Sequence, residues 1–451
     1  MTEKDWLEDH IAKVRKADYI DPALYRKYGV KRGLRNDDGS GVLVGLTTVG
    51  NVHGYVMSEG EKQAVPGELY YRGINVNDIV SADAREHRFG YEEVAYLLLF
   101  GELPTARELV EFKTLLGGHR RLSDGFKENA ILRHPPQDLM NALARSILFA
   151  YAYNVNGSPE DISLETTLAT SIDVMGAMPT IAAYTYQAKS HYHLDGPLMI
   201  RNPDPRKSTA ENLLLLLRED GQYTRLEAEV LDLALIVHAE HGGGNNSSFV
   251  THVVTSAHTD IYSSIAASIL SLKGYRHGGA NLRTMRQMDE IKEKCKDWRN
   301  DRQVTAYLEK IADKKAGDGS GLIYGLGHAV YTISDPRAQM LKKKARELAK
   351  AKGREDEMHL FELIEEKGPA IIKARHPRAE DVCANVDLYS GFVYDMLGIP
   401  RDMYTPLFAV ARTVSWCAHR MEELINEGPI IRPAYKPLFR PRPYIPLKKR
   451  K

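Results

Sequence analysis

The sequence predicts an all-α protein, and three features of its 451 residues support this fold class. Apolar residues recur at helical spacing in one segment after another, without the strand–helix alternation that is typical of α/β folds. Several helix starts carry recognisable caps, including the capping boxes at Thr105–Glu108 and Thr224–Glu227. Short strands are expected only in the Gly- and Val-rich stretch 41–71, at residues 42–46 and 53–57.

The helices are predicted to follow one another along the chain. A short helix near residues 6–15 lies in a peripheral N-terminal arm, residues 1–40, and another begins at about Val76. Two later helices are predicted to begin with an N-cap and a proline, at Asp335–Pro336 and Thr405–Pro406. The remaining predicted helical segments are 91–100, 105–118, 138–153, 164–189, 210–218, 226–237, 304–312 and 358–366.

The composition is that of an ordinary globular protein. Hydrophobic residues make up 43% and charged residues 27%, and the net charge of +1 gives no global attraction to nucleic acid or membranes. The start of the chain is charged and does not resemble a signal peptide, and apolar runs such as 213–217 are too short to span a bilayer. The three cysteines show no CxxC spacing, so reduced thiols and a cytoplasmic protein are expected.

The stretch 231–283 contains two histidines at different kinds of helix end. Glycines 242–244 are predicted to end one helix with His238 and His241 in its last turn, where the helix dipole favours a protonated imidazole. A segment rich in Ser and Ala is predicted to form the next helix, which Gly274 ends. His277 then opens a further helix, where a neutral imidazole is favoured. His241 is therefore a candidate cation and His277 a candidate neutral donor; the alternative is that both are ordinary helix-end histidines.

Four further polar clusters contain candidate functional residues. They are His328 after a glycine-rich loop, Arg337 in the first turn of a helix, Asp387 between apolar residues, and the two arginines Arg412 and Arg432. Each alone has a structural alternative as a loop histidine, a capping aspartate or a surface arginine. Together, several arginines suit a substrate with more than one carboxylate, and an aspartate in apolar surroundings suits a general base. Neutral histidines can polarise carbonyls, so the set fits carbon–carbon bond formation through an enol.

Other kinds of site are less well supported by the sequence. His238 and His241 flank Glu240, but no HExxH motif and no further ligand at suitable spacing accompany them, so no metal is expected. The loop GDGSG at 317–321 fits neither a dinucleotide-binding fingerprint nor a Walker A loop. No GxSxG motif occurs, which argues against a serine nucleophile of that type.

Several motifs together resemble those of the citrate synthase family, which includes the closely similar 2-methylcitrate synthases. The chain contains HAEH at 238–241, NNSSF at 245–249, HGGAN at 277–281, GHAVY at 327–331, DPRA at 335–338, NVDLYSG at 385–391 and FAVARTVSW at 408–416. YYRG at 70–73 and LLLFGELP at 97–104 also match, so the resemblance covers roughly residues 41–451.

The resemblance implies three catalytic residues. Asp387 matches the base that removes a methyl proton from acetyl-CoA, and His277 matches the histidine that hydrogen-bonds the thioester carbonyl as the enol forms. His328 matches the histidine that protonates the oxaloacetate carbonyl, and hydrolysis of citryl-CoA then releases citrate and CoA. CoA is thus a co-substrate, with neither a permanently bound cofactor nor a metal implied.

The resemblance also implies a set of binding residues. His241, Arg337 and Arg412 match ligands of the oxaloacetate carboxylates, and Arg432 matches an arginine that reaches the partner subunit's site in a homodimer. The other implied positions surround the catalytic histidine (Asn245 and Ser247) or hold the CoA adenine (Leu322, Gly325, Leu326 and Asn385, in the loop 322–328 and beside it).

Domain organisation and substrate choice follow from the same resemblance. A large helical domain, 41–278 with 387–451, is expected to hold an inserted small domain, 279–386, that closes over the site. Thr332 stands where many relatives carry Lys or Arg directed at a CoA phosphate; Lys342, Lys343, Lys344 or Arg375 are possible substitutes. The alternatives are a 2-methylcitrate synthase that uses propionyl-CoA, a citryl-CoA lyase, and a non-catalytic helical scaffold. A scaffold has no use for the three catalytic residues together.

Overall fold

The computed structural model describes residues 3–36, 40–58, 61–377 and 381–450. The chain divides into two compact units, Met1–Leu46 and Thr47–Lys451. The first unit contains helices α1 (Glu3–Asp18) and α2 (Pro22–Lys27) and a 3₁₀ turn at Arg32–Leu34. Among the described residues, no helix is both long and apolar enough to cross a membrane.

The second unit is mostly helical, which confirms the all-α prediction. Its fifteen helices, counted over the described residues, are α3 Val76–Glu86, α4 Tyr91–Phe100, α5 Ala106–Gly118, α6 Leu139–Ala150, α7 Leu164–His193, α8 Thr209–Leu217, α9 Arg225–His238, α10 Asn246–Thr255, α11 Ile261–Lys273, α12 Ala280–Lys294, α13 Asp301–Ala312, α14 Pro336–Lys352, α15 Glu355–Arg375, α16 Val386–Met396 and α17 Tyr404–Ile425.

Three of the four helix caps named in the sequence analysis are present in the structure. The capping boxes of Thr105 and Thr224 are both formed, and the Asp335 side chain caps α14 with Pro336 at the first helical position. The predicted start at Thr405 is wrong, because a 3₁₀ turn at Arg401–Met403 continues directly into α17 from Tyr404. The Thr405 hydroxyl instead donates a 3.0 Å hydrogen bond to the Gly278 carbonyl.

A small antiparallel sheet holds the strands of the second unit. Strands β1 (Gly50–Ser58), β2 (Glu61–Tyr71) and β3 (Ile74–Asn75) pair in that order, with Gly50 opposite Tyr71 and a bulge between His53 and Tyr55. The strand predicted at 53–57 is therefore confirmed. The one predicted at 42–46 is wrong, since these residues have no ladder partner in the described part of the chain. A strand is stable only when its backbone groups are paired.

The hairpin of β1 and β2 packs closely against the loop 330–334. A Cβ atom on Gly67 would lie 2.1 Å from the Ser334 carbonyl oxygen, and one on Gly54 would lie 2.8 Å from that of Val330. The Tyr331 hydroxyl also donates to the Glu68 carbonyl at 3.2 Å. The two glycines thus allow the sheet to support the segment between the GHAVY and DPRA motifs.

Helix α17 lies at the centre of the second unit. It packs against α4, α7, α9, α10 and α11, and most of its side chains are buried, from Tyr404 to Glu422. Trp416 and Arg412 are among the largest fully buried side chains of the described chain. This burial brings charged groups of α17 into the interior, where each needs a partner or a function.

The segment after residue 244 forms two helices, whereas the sequence predicts one. Helices α10 and α11 are separated by a turn at 256–260 and pack against each other through small hydroxyl side chains. The hydroxyls of Thr251 and Ser268 lie 2.7 Å apart, and those of Thr255 and Ser264 lie 3.2 Å apart. This close packing fixes the start of α10 beside the loop that carries His277.

Candidate active site

His241 and His328, both partly buried, lie next to each other in the second unit. Their ring centroids lie 5.0 Å apart at nearly a right angle, and His328 stacks on Tyr331 with centroids 4.8 Å apart. The backbone N–H groups of Val330 and Tyr331 donate to Nδ1 of His328 at 3.0 and 3.1 Å. Because Nδ1 accepts these bonds, the proton of the neutral His328 ring lies on Nε2, where it can be donated.

Arg337 is held at the start of α14 by the residue that caps this helix. Its Nε and Nη2 donate to the two carboxylate oxygens of Asp335 at 3.0 and 2.7 Å, and both side chains are buried. Burial alone would lower the pKa of Arg337, but the ion pair with Asp335 outweighs it and raises this pKa. Arg337 therefore stays charged, with Nη1 outside the bidentate pair.

Arg412 presents two unused donors in the interior. It is fully buried on α17, its Nε donates to the His238 carbonyl at 2.7 Å, and its guanidinium lies 4.8 Å from the Phe408 ring centroid. Nη1 and Nη2 are buried and have no hydrogen-bond partner among the described residues. Burial lowers the pKa of Arg412 to about 10, so it is charged at neutral pH. A buried guanidinium with two free nitrogens suits a carboxylate ligand.

The imidazoles beside these arginines are held neutral. Burial, assisted by the charges of Arg337 and Arg412, lowers the pKa of His241 well below its ordinary value. The predicted cation at His241 is therefore wrong: α9 ends at His238, so His241 lies beyond the last turn and close to two fixed positive charges. Its Nε2 is buried without a hydrogen-bond partner among the described residues. His241 can still serve as a neutral hydrogen-bond donor or acceptor.

His277 lies in the loop between α11 and α12. Its Nε2 is 3.1 Å from the Ser247 hydroxyl oxygen, and Trp416 Nε1 donates to the same oxygen at 3.2 Å. Asn245 Oδ1 lies 3.1 Å from this hydroxyl. Burial, with a smaller contribution from Arg412, lowers the pKa of His277 to about 4. The predicted neutral state of His277 is confirmed, and Ser247 and Asn245 lie in the hydrogen-bond network that orients its ring.

Asp387 lies in the first turn of α16, which the Asn385 side chain caps by accepting from the Asp387 N–H at 3.0 Å. Burial raises the pKa of Asp387 from 3.8 to about 6, while the charge of Arg337 opposes this rise and that of Asp335 adds to it. The prediction of a raised pKa is confirmed. Asp387 is thus ionised at neutral pH but binds a proton more readily than an ordinary aspartate, as a general base requires.

The residues expected at the CoA adenine lie together. The Asn385 N–H donates to the Gly325 carbonyl at 2.9 Å, its amide donates to the Gly327 carbonyl at 2.8 Å, and Leu326 forms an isolated bridge with Ala384. Gly325 has a φ of 86°, and a Cβ there would lie 2.8 Å from Leu388, so this turn requires glycine. Leu322 is exposed at the start of the loop.

Two predicted positions lie apart from this cluster. Arg432 is exposed in the irregular segment that follows α17. Thr332 is buried, and its hydroxyl has no hydrogen-bond partner among the described residues, so it does not present a polar group to a phosphate in solvent. Of its possible substitutes, Lys343 is exposed, whereas the other three are engaged in ion pairs: Lys342 with Glu365, Lys344 with Glu347, and Arg375 with Asp313.

Three contributors to the site were not singled out from the sequence. Asp335 was recognised only as a cap, yet it is the ion-pair partner of Arg337. His238 is fully buried, with both ring nitrogens unpartnered among the described residues, and its carbonyl orients Arg412. Trp416 supports Ser247 from α17. The pairing of Asp335 with Arg337 is predictable from their proximity in the DPR motif. The contacts of His238 with Arg412 and of Trp416 with Ser247 join distant parts of the chain and are not.

Comparison with known proteins gives one consistent result. Residues 39–434 match the family described as citrate synthase, C-terminal domain. The chain is 32% identical over 407 residues to the citrate synthase of Haloferax volcanii, covering 90% of this chain and 94% of that enzyme. It is also 30% identical over 375 residues to 2-methylcitrate synthase 1 of Corynebacterium glutamicum, covering 81% and 87% of the two chains.

Solved structures agree with the sequence comparison. The citrate synthase of the thermophilic archaeon Thermoplasma acidophilum, in a ternary complex with carboxymethyl coenzyme A and oxaloacetate, superimposes with a TM-score of 0.75 at 26% identity. The match covers 93% of this chain and 99% of that one.

Proposed function

Since the chain belongs to the citrate synthase family, we propose that it condenses acetyl-CoA with oxaloacetate and hydrolyses the resulting citryl-CoA to citrate and CoA. In this reaction a proton leaves the acetyl methyl group, and the enol carbon forms a bond with the oxaloacetate ketone carbon. The ketone oxygen takes up a proton, and water then cleaves the thioester. Each step needs a group of the kind gathered around Arg337 and Arg412.

The two arginines and His241 bind oxaloacetate in this proposal. The unused Nη1 and Nη2 of Arg412 form a pair of parallel donors suited to one carboxylate, and Arg337 supplies a second fixed charge. His241, which is neutral, completes the ligand set through Nε2. Because these arginines are already buried in the folded protein, they lose little hydration when the substrate carboxylates pair with them, which favours binding.

The observation that carries the proposal is the packing of α16, with Asp387 in its first turn, against α14, with Arg337 in its first turn. The charge of Arg337 influences the pKa of Asp387, and Asp387 in turn influences that of Arg337, so the base lies within electrostatic reach of the oxaloacetate site. A carboxylate with a pKa of about 6 removes the methyl proton more effectively than one near 4.

The two remaining histidines act as neutral hydrogen-bond donors. His277 donates from Nδ1 to the thioester oxygen as negative charge develops there, with Nε2 accepting from the Ser247 hydroxyl. Its low pKa keeps it from becoming a cation. His328, which carries its proton on Nε2, donates to the ketone oxygen as the carbon–carbon bond forms. In this proposal His277 activates the acetyl group that becomes the nucleophile, and His328 activates the oxaloacetate ketone, which is the electrophile.

We also propose that residues 279–386 form a small domain that closes over the bound substrates. Arg337 and His328 belong to this segment, His277 and Asp387 lie just beyond its two ends, and Arg412 belongs to the rest of the unit. A relative movement of the two parts would therefore complete the site. Closure would also exclude water while the enol exists.

The direct test is thiol release from acetyl-CoA and, separately, from propionyl-CoA, each with oxaloacetate. We expect kcat/KM to be at least about tenfold higher with acetyl-CoA, equivalent to about 1.4 kcal/mol of transition-state preference. The reverse preference would identify a 2-methylcitrate synthase. Release with neither substrate would contradict a condensing enzyme, and cleavage of citryl-CoA would then be measured to distinguish a lyase from a scaffold.

We propose further that the active protein is a homodimer in which Arg432 contributes to the partner's site. The segment after α17 is irregular and exposes large apolar side chains, among them Tyr435, Phe439 and Tyr444 at 91%, 73% and 80%. Such exposure is typical of a segment that packs on another chain. Arg432 lies within this segment and could supply an additional cation for a carboxylate.

Hybrid dimers test this arrangement. Asp387→Asn and Arg432→Ala should each be inactive alone, but in a mixed dimer the site of the Arg432→Ala chain receives Arg432 from its partner. An equal mixture after reassortment should recover about a quarter of wild-type activity, since half of the dimers are hybrid and half of their sites are intact. Arg440→Ala, an exposed arginine of the same segment, is the control and should stay active. Activity no greater than the sum of the parents would refute the shared site.

A further inference from the structure

A second group of potential ligand side chains lies outside the residues assigned to the reaction. His252 on α10 and His419 and Glu422 on α17 each offer one ligand atom, and the three atoms lie within 4.8 Å of one another. His252 Nε2 and His419 Nδ1 are 3.2 Å apart, and His419 Nδ1 is 3.5 Å from Glu422 Oε2. Two imidazole nitrogens and a carboxylate oxygen thus lie close together.

These distances match the spacing of ligands around a small divalent metal ion. Zinc binds histidine nitrogen and carboxylate oxygen at about 2.1 Å, so two ligands of a tetrahedral ion lie about 3.4 Å apart. Two of the three separations, 3.2 and 3.5 Å, are close to this value, and the third is at most 4.8 Å. Hydrogen bonding does not account for all three groups, because Glu422 Oε2 is buried and lacks a hydrogen-bond partner among the described residues.

The surroundings orient each of the three side chains. His252 Nδ1 lies 2.8 Å from Glu423 Oε2, and His419 Nε2 lies 3.1 Å from Glu240 Oε2. The remaining oxygen of Glu422 accepts from the N–H and the hydroxyl of Thr48 at 2.6 and 2.9 Å. Carboxylates on the outer nitrogens of both histidines are the usual support of metal-ligating imidazoles, because they fix the tautomer and increase ligand basicity.

We propose that His252, His419 and Glu422 bind one divalent transition-metal ion, with Zn²⁺ as the ion that this nitrogen and oxygen donor set favours. The ion would balance the carboxylates of Glu240, Glu422 and Glu423, which converge on two imidazoles. Three protein ligands would leave the fourth position of a tetrahedral ion to water.

The site would stabilise the loop that carries His241. Glu240 bonds both His419 and the N–H of Gly242, and a Cβ on Gly243 would lie 3.6 Å from both His252 Nε2 and His419 Cε1. The metal would therefore connect α10, α17 and the loop 240–244. Its role would be structural, because none of its ligands is a proposed substrate contact.

Metal binding can be measured directly on the full chain without a histidine tag. After dialysis against EDTA, the protein is titrated with Co²⁺, whose visible absorption reports tetrahedral nitrogen and oxygen ligands, and then with Zn²⁺ in competition. We expect one equivalent of Co²⁺ per chain, displaced by one equivalent of Zn²⁺, and a higher thermal denaturation midpoint with Zn²⁺ than without it.

Variants separate this site from incidental surface binding. His252→Gln should lose the Co²⁺ absorption and the Zn²⁺-dependent thermal shift, whereas His359→Gln, an exposed histidine paired with Asp301, should keep both. Glu423→Gln leaves the three ligands intact and should weaken binding by about 10–100-fold. Less than about 0.2 equivalents of either metal bound to the wild-type chain, or equal binding by His252→Gln, would overturn the proposal.

Discussion

Replacing Asp387 by Asn should abolish turnover and at the same time stabilise the protein at neutral pH. The pKa of Asp387 is raised from 3.8 to about 6, mainly by burial, so its ionised form is disfavoured in the folded state. A shift of about two units at 1.36 kcal/mol each corresponds to about 3 kcal/mol at pH 8. Asn has the same shape and no charge, and it should recover most of this energy.

The sign of the pH dependence makes this prediction specific. Because the folded-state pKa lies above the unfolded-state value, the wild-type protein takes up a proton on folding between about pH 4 and 6 and loses the resulting stability as pH rises through 6. The advantage of Asp387→Asn should therefore be largest at pH 8 and close to zero at pH 4. Above pH 6 it should stay constant.

Thermal denaturation at a fixed scan rate, at pH 4.5 and pH 8, measures this difference. We expect the midpoint of Asp387→Asn to exceed that of the wild type by a few degrees at pH 8 and by only about a third as much at pH 4.5, where Asp387 of the unfolded chain is partly protonated. Thiol release should fall by about 10²–10⁴-fold, the usual contribution of a general base, while oxaloacetate binding measured by calorimetry stays nearly unchanged. A variant that is no more stable than the wild type at pH 8 would refute the argument that burial raises this pKa.

Two further substitutions address substrate binding and orientation of the thioester. Arg412→Lys should raise the oxaloacetate KM at least tenfold, or about 1.4 kcal/mol, because a point charge cannot reproduce the two free guanidinium donors. The control is Arg420→Lys, which changes a buried arginine of the same helix. An equal rise of KM in both variants would contradict the assignment of Arg412. Ser247→Ala should lower kcat about tenfold with the oxaloacetate KM unchanged, because His277 loses an orienting hydrogen bond. Ser248→Ala, whose hydroxyl has no hydrogen-bond partner among the described residues, should not change kcat, and a similar loss in both serine variants would show a general packing effect.

The parts of the fold that the sequence predicted depend on local interactions. The capping boxes at Thr105 and Thr224 and the N-cap at Asp335 involve residues two or three positions apart, so their pattern is visible in the chain. The strand predicted at 42–46 failed because strand formation depends on a distant partner. Likewise, Thr405 resembles an N-cap, but its hydroxyl bonds Gly278, which lies 127 positions earlier.

The candidate site shows the same division. The residue types at Asp387 and His277 and their surroundings indicated a raised and a lowered pKa, and both directions are confirmed. The charge state of His241 was predicted wrongly, because it depends on Arg337 and Arg412, which only the tertiary structure brings close. The cluster of His252 and His419 is invisible in the sequence, since its members are 167 positions apart.

Arg337 also controls the strength of the proposed base. The charge of Arg337 lowers the pKa of Asp387 against the effect of burial, and thus weakens the base. A dicarboxylate bound to Arg337 and Arg412 would neutralise most of this positive charge. Asp387 would then become a stronger base only when the substrate that accepts the enol is already in place. The charge arrangement therefore favours oxaloacetate binding before enol formation, and it limits formation of a reactive enol that has no acceptor.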